Sequence, residues 1–200
     1  MRFSFRRAVA GAAVLLSSTS VALAHPGHGE AVGFAHGFWH PLGGLDHVLA
    51  MIAVGLFAAQ LGGRALCLVP MTFIAVMALG GALGMAGYSL PYGEIGIALS
   101  VVVLGLAVAL RVSVPTLAAM ALAGFFAIFH GHAHGAEMPL DAAGATYAAG
   151  FLVATALLHA AGIALGFAAG RFSDIGGWRV AQAAGGAMAL SGVAILVGVA

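Results

Sequence analysis

Long runs of apolar residues, separated by short polar breaks, make up the chain from residue 41 to its end. Each run approaches the length of about 20 residues that a helix needs to cross a bilayer. Glycines, prolines and arginines end the runs, as in Gly62-Gly63-Arg64. The pattern predicts six membrane-spanning helices, at residues 41–61, 66–87, 94–110, 116–134, 142–169 and 179–199.

The breaks between these runs are short, which favours antiparallel neighbours. We therefore predict an all-α integral membrane protein, a compact bundle of six transmembrane helices. Glycines recur at every fourth residue in two of the runs, and this spacing lets helices approach closely. We interpret them as packing surfaces: Gly80 and Gly84 in one run, and Gly162, Gly166 and Gly170 in another.

The first residues have the pattern of a secretory signal peptide. Three arginines precede an apolar run at residues 8–16, and Ala22 and Ala24 supply the small residues of a cleavage site. An uncleaved first span is the alternative, and both interpretations place residue 25 outside the cytoplasm. The predicted division is a cleaved signal peptide (1–24), a His-rich periplasmic N-terminal segment (25–40) and a membrane domain (41–200).

Charged residues are distributed unevenly about the predicted helices. With residue 25 outside, the four arginines beyond residue 24 all fall on the cytoplasmic side, as the positive-inside rule requires. They are Arg64, Arg111, Arg171 and Arg179. Most acidic residues fall on the outer side instead. The sequence thus predicts a multi-pass protein of the bacterial inner membrane, with a periplasmic mature N-terminus and a negative outer mouth that attracts cations.

Composition excludes several other classes of protein. The chain is 62% hydrophobic and 6% charged, with a mean hydropathy of +1.11, whereas soluble domains carry about 25% charged residues. It contains no lysine, so it lacks a P-loop lysine and a polybasic nucleic-acid surface. A single cysteine, Cys67, excludes an internal disulfide and a site built from several thiolates.

Nine histidines are unexpected in so apolar a chain, and one group opens the first predicted span. Pro41 suits a first helical position, which leaves His40 at the cap. Ionisable residues within a span usually face the bundle interior and mark an ion pathway. On one regular helix His40 and His47 lie about 10 Å apart. We therefore expect Asp46 and His47 at the main metal site, with His40 above them or brought in by a break at Gly43-Gly44. Alternatively, Asp46 caps the helix or orients His47.

A second group closes the fourth predicted span. His130 and His134 are four residues apart and Glu137 follows three residues later, so all three lie on one helical face. Two imidazoles at this spacing can hold one divalent transition metal. His132 points elsewhere on a regular helix, although Gly131 and Gly135 allow irregularity. Because the first span runs inward and the fourth outward, both groups are predicted at the same membrane depth.

The remaining candidates have simpler alternative interpretations. His159, deep in the fifth span, is either a buried histidine bonded to a neighbouring helix or a ligand on the exit path. Met51 is a packing residue or a thioether ligand. The N-terminal segment could capture metal loosely. The secondary metal candidates are therefore His132, His36, Met51, His159, His25 and His28.

Imidazole and carboxylate ligands without thiolate suit nickel, cobalt, zinc or copper(II). The string His40-Pro41-Leu42-Gly43-Gly44-Leu45-Asp46-His47 resembles the H-x5-D-H motif of the HupE/UreJ nickel/cobalt permeases. The string Phe129-His130-Gly131-His132-Ala133-His134-Gly135-Ala136-Glu137 is similar to their F-H-G-x-A-H-G-x-E motif.

This resemblance implies a permease that brings nickel or cobalt into the cytoplasm for hydrogenase or urease maturation. It implies functional roles for His40, Asp46 and His47 and for His130, His134 and Glu137, whereas His132 occupies a variable position. Transport would be passive and driven by the membrane potential. The metal is then the transported substrate, and no cofactor and no enzymatic activity are expected.

Two other functions compete with transport. The first is a membrane-embedded, periplasmic-facing metal-binding or sensor subunit. The second is an intramembrane metalloenzyme, which is disfavoured because Gly131 stands where H-E-x-x-H needs its glutamate. The predicted partners are a divalent transition-metal ion, the lipid bilayer and, as an open alternative, further copies of the chain, with neither nucleic acid nor nucleotide.

Overall fold

The computed structural model describes residues 29–138, 142–172 and 176–198, and these form seven α-helices without a β-strand. The all-α prediction is confirmed for these residues. The predicted signal peptide, His25 and His28 lie outside them. The helices are α1 (Gly29–Gly43), α2 (Leu45–Leu61), α3 (Ala65–Met85), α4 (Gly93–Ala109), α5 (Thr116–Ala136), α6 (Ala142–Phe172) and α7 (Gly176–Leu196).

Several of these helices are long and apolar enough to cross a membrane. In the described ranges α3, α5, α6 and α7 each qualify, and α1 and α2 qualify only as a pair bent by 84°. Helix α4 has 17 residues, about 26 Å at 1.5 Å per residue, whereas the hydrocarbon core is about 30 Å thick. The described residues thus supply four or five candidate spans, and the six-span topology stays a prediction.

Large apolar side chains cover the outside of the bundle. Leu117 on α5 is 76% exposed and Leu190 on α7 is 73% exposed. Such a surface would be unfavourable in water but suits contact with lipid chains. Together with the apolar helices, it identifies a multi-pass membrane protein.

Helix α2 lies at the centre of the bundle and contacts each of the other six described helices. Most of its side chains from Ala50 to Ala59 are buried, including Met51 and Phe57. A residue at the start of α2 is therefore enclosed by neighbours on several sides. This position accounts for the burial of His47.

The arginines collect at one end of this bundle. The Gln60 Nε2 group donates a hydrogen bond of 2.9 Å to the Val112 carbonyl, and the Arg111 guanidinium lies 5.1 Å from the ring centroid of Trp178. The ends of α2 and α4 and the start of α7 therefore meet. Arg64 and Arg179, both exposed, flank these same segments. The grouping agrees with the distribution predicted from the sequence.

The first predicted span begins at a different residue from the one expected. Gly44 has an extended backbone (φ −97°, ψ 115°) that separates α1 from α2. The expected helix start at Pro41 is wrong, because Pro41 is buried in the last turn of α1. Glycine is a weak helix former, so the Gly43-Gly44 pair yields a break. Helix α1 also crosses the predicted boundary between the N-terminal segment and the membrane domain.

Glycines bring helix backbones into direct contact at several interfaces. A Cβ atom added at Gly84 of α3 would clash with the His132 carbonyl oxygen of α5, and one at Gly80 would lie 2.5 Å from the Ile128 carbonyl oxygen. Gly162 of α6 meets α2 in the same way, at Ile52. The predicted packing role is thus confirmed for Gly80, Gly84 and Gly162. The contact of α3 with α5 sets the position of the histidines on α5.

We expect Gly84→Ala to lower the free energy of unfolding by about 1–3 kcal/mol, as overpacking of a close contact does. Gly186→Ala on α7 is the matched control, because a Cβ there would meet nothing within 4 Å. Thermal and denaturant unfolding of the detergent-solubilised proteins measures the stability of each variant. Equal stability of Gly84→Ala and the parent chain would contradict the close contact.

Candidate metal centre

Three imidazoles from two helices converge inside the bundle. His47 lies at the start of α2, and His130 and His134 lie one turn apart on α5. One ligand atom of each lies within 4.8 Å of the others. An ion about 2.0–2.1 Å from each nitrogen would set these atoms about 3–4 Å apart. Small side-chain rotations would bring this group, the inner triad, into one coordination sphere.

A second group overlaps the first. His40, His134 and Glu137 also offer ligand atoms within 4.8 Å of one another. The His40 Nε2 and His134 Nδ1 atoms are 3.1 Å apart, and the His40 Nε2 atom is 3.6 Å from Glu137 Oε2. We call this group the outer triad. His134 belongs to both triads, so an ion could exchange ligands around it.

The break at Gly44 makes both triads possible. On an unbroken helix His40 and His47 would stand about 10 Å apart along one axis. In the structure the bend between α1 and α2 places both rings beside His134, with centroid distances of 5.0 and 5.2 Å. The break considered at Gly43-Gly44 is thus present and places His40 beside His134, whereas the role of His40 as a ligand stays a prediction.

A serine hydroxyl sets the tautomer of His130. The Ser100 Oγ–H group donates a hydrogen bond of 2.6 Å to the Ile97 carbonyl, and the same Oγ lies 2.8 Å from His130 Nε2. A hydroxyl has one hydrogen to donate, so His130 Nε2–H is the donor to Ser100. The His130 Nδ1 atom, which has no partner among the described residues, therefore presents its lone pair. Metal-binding histidines are commonly oriented in this way.

His47 has a similar arrangement. Its Nε2 atom lies 3.2 Å from the Thr155 hydroxyl of α6, and its buried Nδ1 atom has no hydrogen-bond partner within the described ranges. Sequence analysis missed Ser100 and Thr155. The sequence gives only a weak indication that these two residues contact histidines. Each is a small hydroxyl residue inside an apolar run, where helix packing is the usual explanation.

Aromatic rings of α6 enclose the histidines. The Phe151 ring centroid lies 4.7 Å from that of His134 and 5.0 Å from that of His47. One turn earlier, the Tyr147 ring lies 5.7 Å from His40. These apolar surfaces exclude water from the ligands. Sequence analysis missed both rings, although the spacing Tyr147, Phe151, Thr155, His159 marks one helical face.

The other described candidates are not members of either triad. Asp46 is half-buried, and its Oδ1 atom accepts a hydrogen bond of 2.7 Å from the backbone N–H of His47. Asp46 therefore supports the first turn of α2, which is close to the alternative role that the sequence suggested for it. His132 points away, with Nε2 2.6 Å from the Tyr88 carbonyl oxygen. His36 is exposed beside Tyr147, and Met51 is in the hydrophobic core.

Exposure falls steadily across the two triads. The side chains of Glu137 and His40 are 66% and 30% exposed, whereas His47 and His130 are 1% and 0% exposed. The only carboxylate of either triad is thus at the solvent end, and the buried end consists of imidazoles. An ion entering from Glu137 would meet progressively less water.

Comparison with known proteins identifies the family of this chain. The sequence model described as HupE / UreJ protein matches residues 13–195. The chain is also 50% identical over 183 residues to Protein HupE of Rhizobium leguminosarum bv. viciae, across 92% of this chain and 94% of that protein. The chain belongs to the HupE/UreJ family. No solved structure matches it.

The two HupE/UreJ motifs of this chain supply every member of both triads. Residues 40–47 contribute His40 and His47, and residues 129–137 contribute His130, His134 and Glu137. Two stretches more than 80 residues apart in sequence thus meet at one place. Asp46 is the motif residue that contributes a backbone hydrogen bond instead.

We expect Ser100→Ala to weaken nickel binding by about 10- to 100-fold, the usual effect of removing a group that orients a metal-binding histidine. Isothermal titration of the purified protein with nickel measures the affinity. Ser191→Ala on α7 is the matched control, since no hydrogen bond joins Ser191 to a histidine in the described part of the chain. An unchanged affinity in Ser100→Ala would show that the hydroxyl does not control the His130 tautomer.

Proposed function

We propose that this protein is a secondary permease that imports Ni²⁺, or Co²⁺, across the bacterial inner membrane. The observation that carries the proposal is the pair of triads that share His134 and pass from an exposed carboxylate to buried imidazoles. A site that only stored metal would need one coordination sphere. Two overlapping spheres of decreasing exposure allow an ion to be transferred inward by stepwise ligand exchange.

The choice of metal follows from the ligands and the family. Imidazole nitrogens with a carboxylate suit nickel, cobalt, zinc and copper(II), and affinity alone favours copper over nickel. HupE/UreJ proteins are associated with nickel and cobalt transport. The imported ion would then supply hydrogenase or urease maturation.

The membrane potential is the proposed driving force. An inside-negative potential contributes about 2.3 kcal/mol per charge for each 100 mV, and a dication gains twice this. The inner triad consists of imidazoles, which bind metal in their neutral form. An ion therefore meets no buried carboxylate in the inner triad that would hold it too tightly to leave.

A metal-binding or sensor subunit that faces the periplasm is the second candidate. It is favoured by the location of both triads near one end of the bundle, opposite the arginines. In that case the ion would bind and dissociate on the same side. No catalytic role is proposed.

Uptake by purified protein in proteoliposomes separates the two functions. With an inside-negative potential, the permease should accumulate radioactive nickel inside the vesicles, and competition with cobalt and zinc should establish selectivity. Vesicles without protein and vesicles carrying His47→Ala are the controls. Nickel that stays bound to the protein, with no accumulation in the lumen, would reject transport in favour of the binding subunit.

We expect His47→Ala and His134→Ala each to lower the rate of nickel uptake strongly but measurably, and the double variant to be no worse than either single variant. Residues that hold one ion act as a unit, so their effects are not additive. Initial uptake rates, normalised to the amount of inserted protein, provide the measurement. Additive losses would instead indicate two independent sites.

Glu137→Gln is expected to reduce uptake when nickel is scarce and to leave the maximal rate nearly unchanged. The exposed carboxylate attracts the incoming dication and contributes to the outer triad, whereas the buried inner triad is left intact. Uptake rates over a range of nickel concentrations give both quantities. A fall in the maximal rate at saturating nickel would place Glu137 in a later step.

A further inference from the structure

His159 on α6 is a buried histidine that neither triad uses. It is 1% exposed, and neither of its ring nitrogens has a hydrogen-bond partner among the described residues. A neutral imidazole carries one N–H donor and one ring-nitrogen acceptor, both of which water would otherwise satisfy. Burying such groups without a partner is unfavourable. A structural histidine would be expected to have a partner.

The fold places His159 on the same face of α6 as the residues that line the triads. Tyr147, Phe151, Thr155 and His159 follow at intervals of four residues, each about 6 Å further along the helix. Thr155, one turn before His159, contacts His47. Close contact between Gly55 of α2 and Gly162 of α6 holds this part of α6 against the central helix.

The Phe73 ring of α3 contacts both His159 and the inner triad. Its centroid is 5.3 Å from that of His159 and 5.8 Å from that of His130. Phe73 is fully buried. His159 does not belong to either group of ligand atoms found within 4.8 Å. Phe73 is therefore a side chain that borders both the inner triad and the next histidine along α6.

We propose that His159 is a separate inner binding site for the transported divalent cation, reached when the Phe73 ring moves aside. The proposal rests on the permease function and adds to it a second, deeper binding step. One imidazole supplemented by water binds an ion more weakly than three imidazoles do. Weak binding at the last site favours release, as conduction through a series of sites requires.

The Phe73 ring also gives the bundle a barrier between the two sites. A closed ring separates the inner triad from His159, and a rotated ring opens a connection between them. The ion would thus leave the three imidazoles of the inner triad before it binds His159. Occupancy of the two sites should appear as two binding phases of different affinity.

Titration with Co²⁺ tests the inner site without any need for transport. The d–d absorption of cobalt reports each change of ligand set in the full-length protein reconstituted in nanodiscs. The parent chain should show a tight phase and a weaker second phase. His159→Leu should retain the tight phase and lose the second, because leucine fills the space but offers no ligand.

Uptake of radioactive nickel by the same proteins in proteoliposomes provides the second measurement. His159→Leu should lower the uptake rate by about tenfold or more, within the range seen when metal-site groups are removed. Phe57→Leu is the matched control, since Phe57 is a fully buried ring of α2 with no ring contact to a histidine among the described residues. It should preserve both binding phases and uptake.

The outcomes separate this proposal from the permease function. If His159→Leu retains both cobalt phases, or transports nickel like the parent chain, the inner site is rejected and the permease stands. If the parent chain shows both phases but moves no nickel, the permease is rejected and His159 remains a binding site. Should His159→Leu fail to fold, His159→Gln replaces it, because glutamine retains a polar group. Loss of the second phase and of uptake in that variant supports the inner site at His159, and retention of both rejects it.

Discussion

A hydroxyl contacts one ring nitrogen of each of two buried imidazoles, and this constraint governs the centre of the bundle. Apolar side chains surround these rings, so few other groups can pair with a free N–H group or lone pair. Ser100 occupies one nitrogen of His130, and Thr155 contacts one nitrogen of His47. In each ring the other nitrogen has no partner among the described residues. The hydroxyls thus hold each ring in place, and at His130 the Nδ1 lone pair is left for an ion.

Direct backbone contacts make this arrangement rigid. Glycines of α3 lie against the backbone of α5, and Gly55 of α2 lies against Gly162 of α6. Helices that touch without intervening side chains have little freedom to slide, because added atoms would clash. Within this frame, the Phe73 side chain is the group proposed to move, and the extended Gly44 interrupts the helix between α1 and α2. A rigid frame with a few movable groups suits a site whose ligands must exchange an ion.

Charge and burial change together along the triads. The carboxylate of Glu137 lies at the solvent end, where its ionised form is well hydrated, and imidazoles occupy the buried end. Burying an ionised carboxylate without a partner is costly. Burying a neutral imidazole costs less, because it carries no charge. Asp46 agrees with this rule, because it lies half-buried and accepts the backbone N–H of His47. The ligand types are therefore matched to their depth.

Hydropathy and motif spacing alone determined where six of the helices run and which histidines cluster. The transfer of an apolar segment from water into lipid depends only on the residues of that segment. The sequence therefore predicts the bounds of α3, α4 and α5 to within two residues. Only the tertiary structure decided that the chain bends at Gly44, that His132 turns to the Tyr88 carbonyl, and that Ser100, Thr155, Phe151 and Phe73 surround the imidazoles. These relations join residues that are remote in sequence. They depend on which helix faces meet. Close packing between distant segments decides this, and the residue pattern within one segment does not reveal it.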